Sequence, residues 1–358
     1  MSPRRARSLV TALIAHGREA GTPSAAAARA AVSRFLSELG YSVQEQSFSF
    51  NGGIYRSMPV AGALLVIVSL VEIPLLLQPG PAWGAAGALL VLTVASSLMM
   101  FRFLTGDGSP RSVRTDANLI AQRQGAVVRC WLVAHLDTKA QGHSMAGRLV
   151  ALWVTVVALA ALLVMAGLRL RGPQPVTAGM AAGAMGVLAG LLLAGGRLSG
   201  QSPGARDNGS GLLAVLTAAE LTTDPGIGII ITAAEEFGLA GARALVREHP
   251  GLFGEAEVVN VDTIDEEGTL FVVTHGQADR LARRVRQGLA GLAPIQGRRV
   301  PLGIMVDGVP LGRVAAGAVT IGRLSWGTLK RMHTSRDDAA GYSLETAELL
   351  GERLAAPI

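Results

Sequence analysis

The clearest signal of the fold is the sequence Ile-Gly-Ile-Ile-Ile-Thr-Ala-Ala-Glu-Glu-Phe-Gly-Leu-Ala-Gly at residues 227–241. Its apolar run, 227–233, predicts a strand buried on both faces, and residues 238–248 predict a helix. Two adjacent carboxylates, Glu235 and Glu236, lie between the two elements. A buried strand that ends in polar residues and leads into a helix is typical of a parallel sheet covered by helices.

The same alternation of strands and helices continues on both sides of this stretch. It predicts strands at 41–50, 117–122, 127–134, 257–261, 270–274 and 317–321, and helices at 24–39, 210–221, 277–289 and 343–354. We therefore predict an α/β fold with a mixed, largely parallel central sheet flanked by helices.

The composition is unusually apolar for a soluble enzyme. Of 358 residues, 50% are hydrophobic and 16% are charged, which argues against a wholly soluble enzyme and against a disordered chain. Aromatic residues make up 4%, so an aromatic-rich nucleic-acid surface is not expected. The single cysteine, Cys130, excludes an internal disulfide and a four-thiolate zinc site.

Four apolar blocks approach the length of about 20 residues that a membrane-spanning helix needs. They cover roughly 59–77, 82–101, 149–168 and 176–195. The close spacing of each pair predicts two transmembrane helical hairpins, 59–104 and 149–196; the alternative is four buried core helices. The hairpins interrupt a discontinuous soluble domain formed by 1–58, 105–148 and 197–358.

Basic residues near the ends of the blocks predict the sidedness. Eight lie on the side of the soluble domain and two, Arg169 and Arg171, on the other; the eight are Arg56, Arg102, Arg111, Arg114, Lys139, Arg148, Arg197 and Arg206. Cytoplasmic loops carry an excess of Lys and Arg, so we predict an integral protein of the cytoplasmic membrane with a cytoplasmic soluble domain. The net charge of +6 could also indicate nucleic-acid binding, but we favour the charge bias of membrane-flanking residues.

Polar residues at the ends of the predicted elements form a pattern that indicates metal chemistry. His135 and Asp137, Glu235 and Glu236, and Asp262 lie at the ends of strands, Asp207 lies just before a helix, and His333 is a second histidine near the C-terminus. Two histidines with three carboxylates suit two zinc ions that share one bridging carboxylate, and one of the adjacent glutamates remains as a proton carrier. Taken singly, each residue has an ordinary structural explanation, such as Asp207 as a helix N-cap; the conjunction carries the prediction.

These motifs resemble those of the co-catalytic two-zinc aminopeptidases, the metallopeptidase family that includes glutamate carboxypeptidase and glutaminyl cyclases. The resemblance rests on His-x-Asp, Asp-Asn-x-Ser-Gly, Glu-Glu-x-Gly-x-x-Gly, a strand-end Asp and His-Thr-x-x-Asp, which occur in family order from about residue 41 onward. The sequence departs from the family in the spacing of 72 positions from His135 to Asp207, most of which the second hairpin fills.

The resemblance implies a role for each residue. His135 and Asp262 would hold one zinc ion, Glu236 and His333 the other, and Asp207 would bridge the two ions. Glu235 would be the general base acting on a metal-activated water, and Asp137 would orient His135. Asp337 would support His333 in the same way.

The activity implied is that of a membrane-embedded zinc aminopeptidase with two Zn²⁺ per chain, which acts on peptides with a free N-terminus. Its partners would be the peptide substrate and the lipid bilayer, with no nucleic acid. The alternative is a membrane-bound protein with the same fold that is catalytically weak or inactive and has a peptide-binding or regulatory role. A transporter is a third possibility, and paired broken helices, which would favour it, are not evident.

Overall fold

A computed structural model describes residues 4–53, 57–77, 112–169, 176–293, 295–298 and 305–356, together with the single positions 55, 87, 91, 95 and 98. The chain divides into two compact units. The first comprises Met1–Gly52, Ser112–Ala140 and Gly200–Ile358, and the second comprises Gly53–Arg111 and Gln141–Ser199. Both segments predicted as hairpins fall within the second unit.

Eleven helices occur in the described residues, and the second unit holds the third to the fifth. They are α1 (Arg5–Leu13), α2 (Pro23–Glu38), α3 (Ser57–Leu77), α4 (Met145–Arg169), α5 (Val176–Ala194), α6 (Gly211–Leu221), α7 (Ala240–Glu248), α8 (Asp279–Gly288), α9 (Gly308–Leu311), α10 (Trp326–Arg331) and α11 (Glu345–Leu354). A π-helical turn, Ala205–Ser210, leads directly into α6.

The first unit contains one eight-stranded sheet in the order β1-β2-β4-β3-β5-β8-β6-β7. Its strands are β1 (Tyr41–Asn51), β2 (Val113–Arg123), β3 (Cys130–His135), β4 (Ile227–Thr232), β5 (Glu257–Ile264), β6 (Thr269–His275), β7 (Ile295–Arg298) and β8 (Gly317–Leu324). The four central strands, β4, β3, β5 and β8, run parallel, whereas β1, β2 and β6 pair antiparallel to a neighbour. The predicted mixed, largely parallel sheet is confirmed.

Helices cover both faces of the sheet because its central strands are apolar on both faces. Along β3, Leu132 and Ala134 join a core that includes the helices α1, α6 and α11. The alternating residues Trp131 and Val133 join a second core with Leu245 of α7. Side chains that alternate between two buried faces explain why this strand reads as a continuous apolar run.

Among the α-helices and strands of the first unit, four were not predicted: α1, β7 and the short helices α9 and α10. Arginines separate the apolar residues of α1 and obscure its helical periodicity, yet Ala6 and Val10 are fully buried. Strand β7 has the sequence Ile-Gln-Gly-Arg, which is short and carries no alternation of apolar residues. It extends the sheet by pairing parallel to β6.

The second unit is built from helices that approach each other closely. A Cβ atom added at Gly190 in α5 would lie 2.5 Å from the carbonyl oxygen of Gly62 in α3, and one at Gly186 would lie 2.1 Å from Oγ of Ser69. Small residues spaced four apart permit such backbone contact between apolar helices. Large apolar side chains of α4 point outward instead, and Trp153 and Val157 are each about half exposed.

Two helices are long and apolar enough to cross a membrane, over Met145–Met165 and Val176–Ala194. They correspond to the second predicted hairpin. In the first predicted hairpin, the apolar stretch Met58–Val71 is shorter than a span. The second predicted span, 82–101, lies outside the described residues apart from single positions, as do both predicted hairpin tips, 78–81 and 170–175. Two transmembrane hairpins are therefore not confirmed.

Candidate metal centre and active site

The functional side chains of the first unit lie at one edge of the parallel sheet. His135 is the last residue of β3, Glu235 and Glu236 follow β4, and Asp262 lies near the end of β5. Because these strands are parallel neighbours, their carboxyl ends meet at the same edge, where α/β proteins place their ligand sites. Asp207, in the π-helical turn before α6, and His333, which follows α10, complete the group.

These side chains form two ligand groups that share one carboxylate. His135, Asp207 and Asp262 form the first group, and Asp207, Glu236 and His333 form the second. Within each group the candidate ligand atoms lie within 4.8 Å of one another. Nε2 of His135 lies 3.2 Å from Oδ1 of Asp207, and Nε2 of His333 lies 3.1 Å from Oδ2 of the same residue. Each oxygen of Asp207 thus faces a different histidine.

The spacing of the ligand atoms fits zinc. Two ligands about 2.0–2.2 Å from a tetrahedral ion are roughly 3.3–3.6 Å apart. Besides the two contacts of Asp207, Nε2 of His135 lies 3.8 Å from Oδ1 of Asp262, and Nε2 of His333 lies 3.4 Å from Oε1 of Glu236. Nitrogen and carboxylate oxygen are also the donors that zinc commonly takes.

The electrostatics of the site favour bound cations. Burial alone would lower the pKa of His135, but the carboxylates of Glu235, Asp137, Asp207 and Asp262 outweigh it and raise that pKa well above the ordinary value. Burial raises the pKa of Glu235 well above its ordinary value, and nearby carboxylates add to this effect. A buried excess of negative charge is costly unless it is paired or binds metal, so the site suits metal ions.

A family model described as Peptidase family M28 matches residues 118–356. The chain belongs to peptidase family M28. This membership confirms the predicted resemblance, and with it the predicted class of metallopeptidase hydrolase with zinc as the metal. A search of curated proteins found no match for this M28 chain.

Solved structures share the fold of the M28 chain at low sequence identity. A glutaminyl cyclase from Porphyromonas gingivalis is 17% identical, with a TM-score of 0.57, and the match covers 98% of this chain and 95% of that one. A Zn-dependent exopeptidase from Parabacteroides distasonis is 15% identical, with a TM-score of 0.57 and the same coverage. An aminopeptidase from Aneurinibacillus sp. strain AM-1 is 13% identical, with a TM-score of 0.55, and the match covers 98% and 91% of the two chains.

Asp137 of the M28 chain contacts His135 at the end of β3 and the two glutamates that follow β4. Its main-chain carbonyl oxygen lies 3.1 Å from Nδ1 of His135, whereas its carboxylate is 3.7 Å from that atom. A carbonyl oxygen only accepts, so the proton of His135 belongs on Nδ1 and Nε2 is left for a metal. The carboxylate of Asp137 accepts hydrogen bonds from the backbone N–H groups of Glu235 and Glu236, at 3.0 and 3.2 Å. It therefore orients the two glutamates more directly than it orients His135.

Lys139 is a site residue that sequence reasoning missed. Its ammonium group is buried and forms an ion pair with Oε2 of Glu236. Burial opposes ionisation of Glu236, but Lys139 and His333 outweigh it and lower the pKa of this carboxyl to about 2. The sequence offered one signal, since Lys139 and Lys330 are the only lysines of the chain.

The buried position of Lys139 also changes the charge count behind the predicted sidedness. Lys139 and Arg206 were both counted as cations near the membrane, yet they are 4% and 2% exposed within the first unit. Without them the bias is six against two. The direction of the bias is unchanged.

Asp337 supports the loop of Asp207. Its two carboxylate oxygens accept hydrogen bonds from the backbone N–H groups of Arg206 and Asp207, at 2.9 and 3.1 Å. These contacts do not involve His333, which we predicted Asp337 to support. The carboxylate fixes the backbone that carries the shared Asp207.

Two further buried residues, Asp307 and Tyr342, form hydrogen bonds to strands that carry the site. Asp307 is buried, and its Oδ2 accepts a hydrogen bond of 2.5 Å from Oγ1 of Thr232 at the end of β4. Burial raises the pKa of Asp307 to about 7. Tyr342 donates its hydroxyl proton to the carbonyl oxygen of Ile264. That bond engages the Tyr342 hydroxyl group within the core.

Proposed function

We propose that this protein is a membrane-bound, zinc-dependent aminopeptidase that holds two Zn²⁺ ions per chain. The observation that carries the proposal is the position of Asp207, whose two carboxylate oxygens face His135 and His333 from opposite ligand groups. His135 and Asp262 would hold one ion, Glu236 and His333 the other, and Asp207 would contact both. Bound zinc supplies Lewis acidity and makes a water molecule acidic enough to act as a nucleophile near neutral pH.

The two adjacent glutamates suit different roles. Glu236 is ion-paired with Lys139 and faces Nε2 of His333. These contacts keep its carboxylate ionised and oriented, as a metal ligand requires. The carboxylate of Glu235 accepts no hydrogen bond from the described residues, and its raised pKa favours gain of a proton. Glu235 would take the proton of the attacking water on a carboxylate oxygen and then deliver it to the nitrogen of the leaving amine.

Exopeptidase action is supported by the fold that the chain shares with an aminopeptidase and a Zn-dependent exopeptidase. The substrate would be a peptide with a free N-terminus. Because glutaminyl cyclases share the same fold, the test must separate hydrolysis from cyclisation. The full chain would be purified, loaded with zinc, and given matched peptides with a free N-terminus, an acetylated N-terminus or an N-terminal glutamine.

Three outcomes are distinguishable. Release of the N-terminal residue from the free peptide, with acetylation preventing it, supports an aminopeptidase with about two zinc ions per chain by elemental analysis. Cyclisation of the glutaminyl peptide without hydrolysis would refute it in favour of a cyclase. Binding of the free peptide without turnover would favour the inactive peptide-binding alternative.

Anchoring in the cytoplasmic membrane is proposed on two observations. Two helices of the second unit have the length and apolar composition of membrane spans, and Trp153, Val157 and Leu191 are each at least half exposed. The remaining bias of basic residues favours a cytoplasmic first unit. In a Cys130-free background, cysteines at positions 79 and 172 should react with an impermeant thiol reagent in intact cells. Reaction of a cysteine near the C-terminus instead would invert this topology.

A further inference from the structure

Arg18 lies in the first unit, between α1 and α2, outside the residues matched by the family model. It is 1% exposed and is among the largest fully buried side chains of the described residues. Burial lowers the pKa of Arg18 to about 10, with Asp337, Asp137 and Asp207 opposing the shift, so the guanidinium is charged at neutral pH. A charged side chain is rarely buried unless it is paired or its hydrogen-bonding groups are satisfied by protein partners.

The guanidinium donates to main-chain carbonyl oxygens from three separate segments. Nε contacts the carbonyl oxygen of Leu136 at 2.9 Å, and the two Nη atoms contact those of Pro203 and Gly204 at 2.7 and 3.2 Å. Nη1 also contacts the carbonyl oxygens of Leu13 and His16, at 3.1 and 3.4 Å. The five contacts use the planar donor fork that distinguishes arginine from lysine.

Two of these segments carry the proposed metal ligands. Leu136 lies between His135 and Asp137, and Gly204 lies three residues before Asp207. The backbone pairs Arg18 with the first segment a second time, since the N–H of Arg18 donates to Oγ1 of Thr138 at 2.8 Å and the N–H of Thr138 donates to the carbonyl oxygen of Arg18 at 3.2 Å.

The N-terminal segment also packs against the loop of Asp207. A Cβ atom added at Gly209 would lie 2.4 Å from Cγ2 of Ile14, which immediately follows α1. Gly204 has a left-handed backbone, with φ of 60°, and a Cβ atom there would lie 2.3 Å from Cγ2 of Thr138. The loop is therefore confined between the segment around Arg18 on one side and the carboxylate of Asp337 on the other.

We propose that Arg18 is a positioning residue for the metal centre, which fixes the distance between the His135 segment and the Asp207 loop. This proposal rests on the proposed zinc site. The first ligand group takes His135 from one segment and Asp207 from the other, so a change in the separation of the segments changes the ligand geometry directly. The N-terminal segment is thereby part of the active site, although it contributes no ligand and no catalytic group.

The sign of the effect separates positioning from simple electrostatics. Removing a cation near carboxylate ligands should tighten zinc binding if Arg18 acts through its charge. Removing a group that orients ligands should weaken zinc binding, by about 10–100-fold where supporting residues have been changed. The positioning role therefore predicts the opposite result for the same substitution.

The test measures zinc affinity in the purified full chain, by competition with a chromogenic chelator, and the absorption spectrum of the Co²⁺-loaded protein. Arg18→Met should bind zinc about 10–100-fold more weakly and show an altered Co²⁺ spectrum. Arg18→Lys keeps the charge but offers three donors to five acceptors, so it should also lose affinity. Thr138→Val removes one hydrogen bond and should produce a smaller loss in the same direction.

The matched control is Arg29→Met. Arg29 lies in α2 and pairs with Glu45 and Asp116, neither of which belongs to a ligand segment, so its loss should lower the melting temperature and leave zinc affinity unchanged. Unchanged or tighter zinc binding in a folded Arg18→Met or Arg18→Lys variant would overturn the proposal. If Arg18→Met fails to fold, Arg18→Lys decides it, and wild-type affinity in that variant overturns the proposal. A wild-type chain that binds zinc but hydrolyses no peptide would refute the proposed function alone.

Discussion

Replacing Glu235 or Glu236 by glutamine makes the same chemical change at adjacent positions, and the structure predicts opposite consequences. Glutamine keeps the shape of the side chain and removes its charge and its basicity. Glu235→Gln should slow hydrolysis by orders of magnitude while both zinc ions are retained. Glu236→Gln should lose zinc from the group formed with Asp207 and His333 and should also destabilise the fold.

The magnitudes follow from the surroundings of each carboxylate. A general base contributes about 10²–10⁴-fold to the rate, equivalent to about 3–5 kcal/mol of activation free energy, and this is the expected loss for Glu235→Gln. Its carboxylate accepts no hydrogen bond from the described residues, so the folded state loses no such bond. Glu236→Gln removes the carboxylate charge that pairs with the buried ammonium of Lys139, and breaking a buried ion pair by removing one partner typically costs about 3–5 kcal/mol.

The pKa of Glu235 sharpens the contrast in the metal-free protein. Because burial raises that pKa well above its ordinary value, the stabilising contribution of the protonated carboxyl is complete at low pH and is lost as pH rises. At neutral pH, metal-free Glu235→Gln should therefore be at least as stable as the wild type.

Three measurements on the same preparations test this reasoning. They are kcat with an aminoacyl substrate, zinc content by elemental analysis after gel filtration, and the free energy of unfolding of the metal-free forms in urea. The double variant is the control for additivity. Loss of zinc in Glu235→Gln with full zinc in Glu236→Gln would mean that the two glutamates exchange roles. Equal destabilisation by both would refute the assignment of Lys139 as the partner that distinguishes them.

Three other substitutions probe separate features of the site. Asp207→Ala removes the ligand shared by both groups, so zinc content should fall from about two per chain to less than one, measured by elemental analysis. Burial raises the pKa of Asp307 to about 7, so in the metal-free protein its stabilising contribution should disappear as pH rises from about 4 to about 7; Asp307→Asn should flatten that part of the urea-unfolding profile. Tyr342→Phe removes the hydrogen bond to Ile264 and should cost about 1–3 kcal/mol of stability, with kcat/KM unchanged at temperatures where the variant is folded.

The sequence predicted what depends on local pattern. The apolar runs of β3, β4 and β5 identified the central strands, and the rule that parallel strands end at one edge predicted that His135, Glu235, Glu236 and Asp262 would meet. Asp207 and His333 lie outside strands, and the resemblance to a known family supplied their roles. The assignment of all these residues as ligands or as the base stays a prediction until metal is measured.

The features that the sequence did not reveal depend on long-range contacts. Lys139 and Glu236 are 97 residues apart, and no periodicity relates an isolated lysine to a distant carboxylate. Arg18 lies in a segment that looks like a polar loop, and its acceptors are backbone carbonyl groups, which are present at every position of a chain. Helix α1 was missed because its arginines obscure the periodicity of Ala6 and Val10, the two residues that pack into the core.

The order of the segments along the chain has a consequence for biosynthesis. The ribosome completes His135 before the helices of residues 145–194, and it completes Asp207 only after them. No zinc-binding pair of these two residues exists until the intervening helices have been made, and a chain that stalls there contains His135 without the other four proposed ligands. If those helices enter the bilayer as they are made, a defect in membrane insertion should appear as a protein without metal.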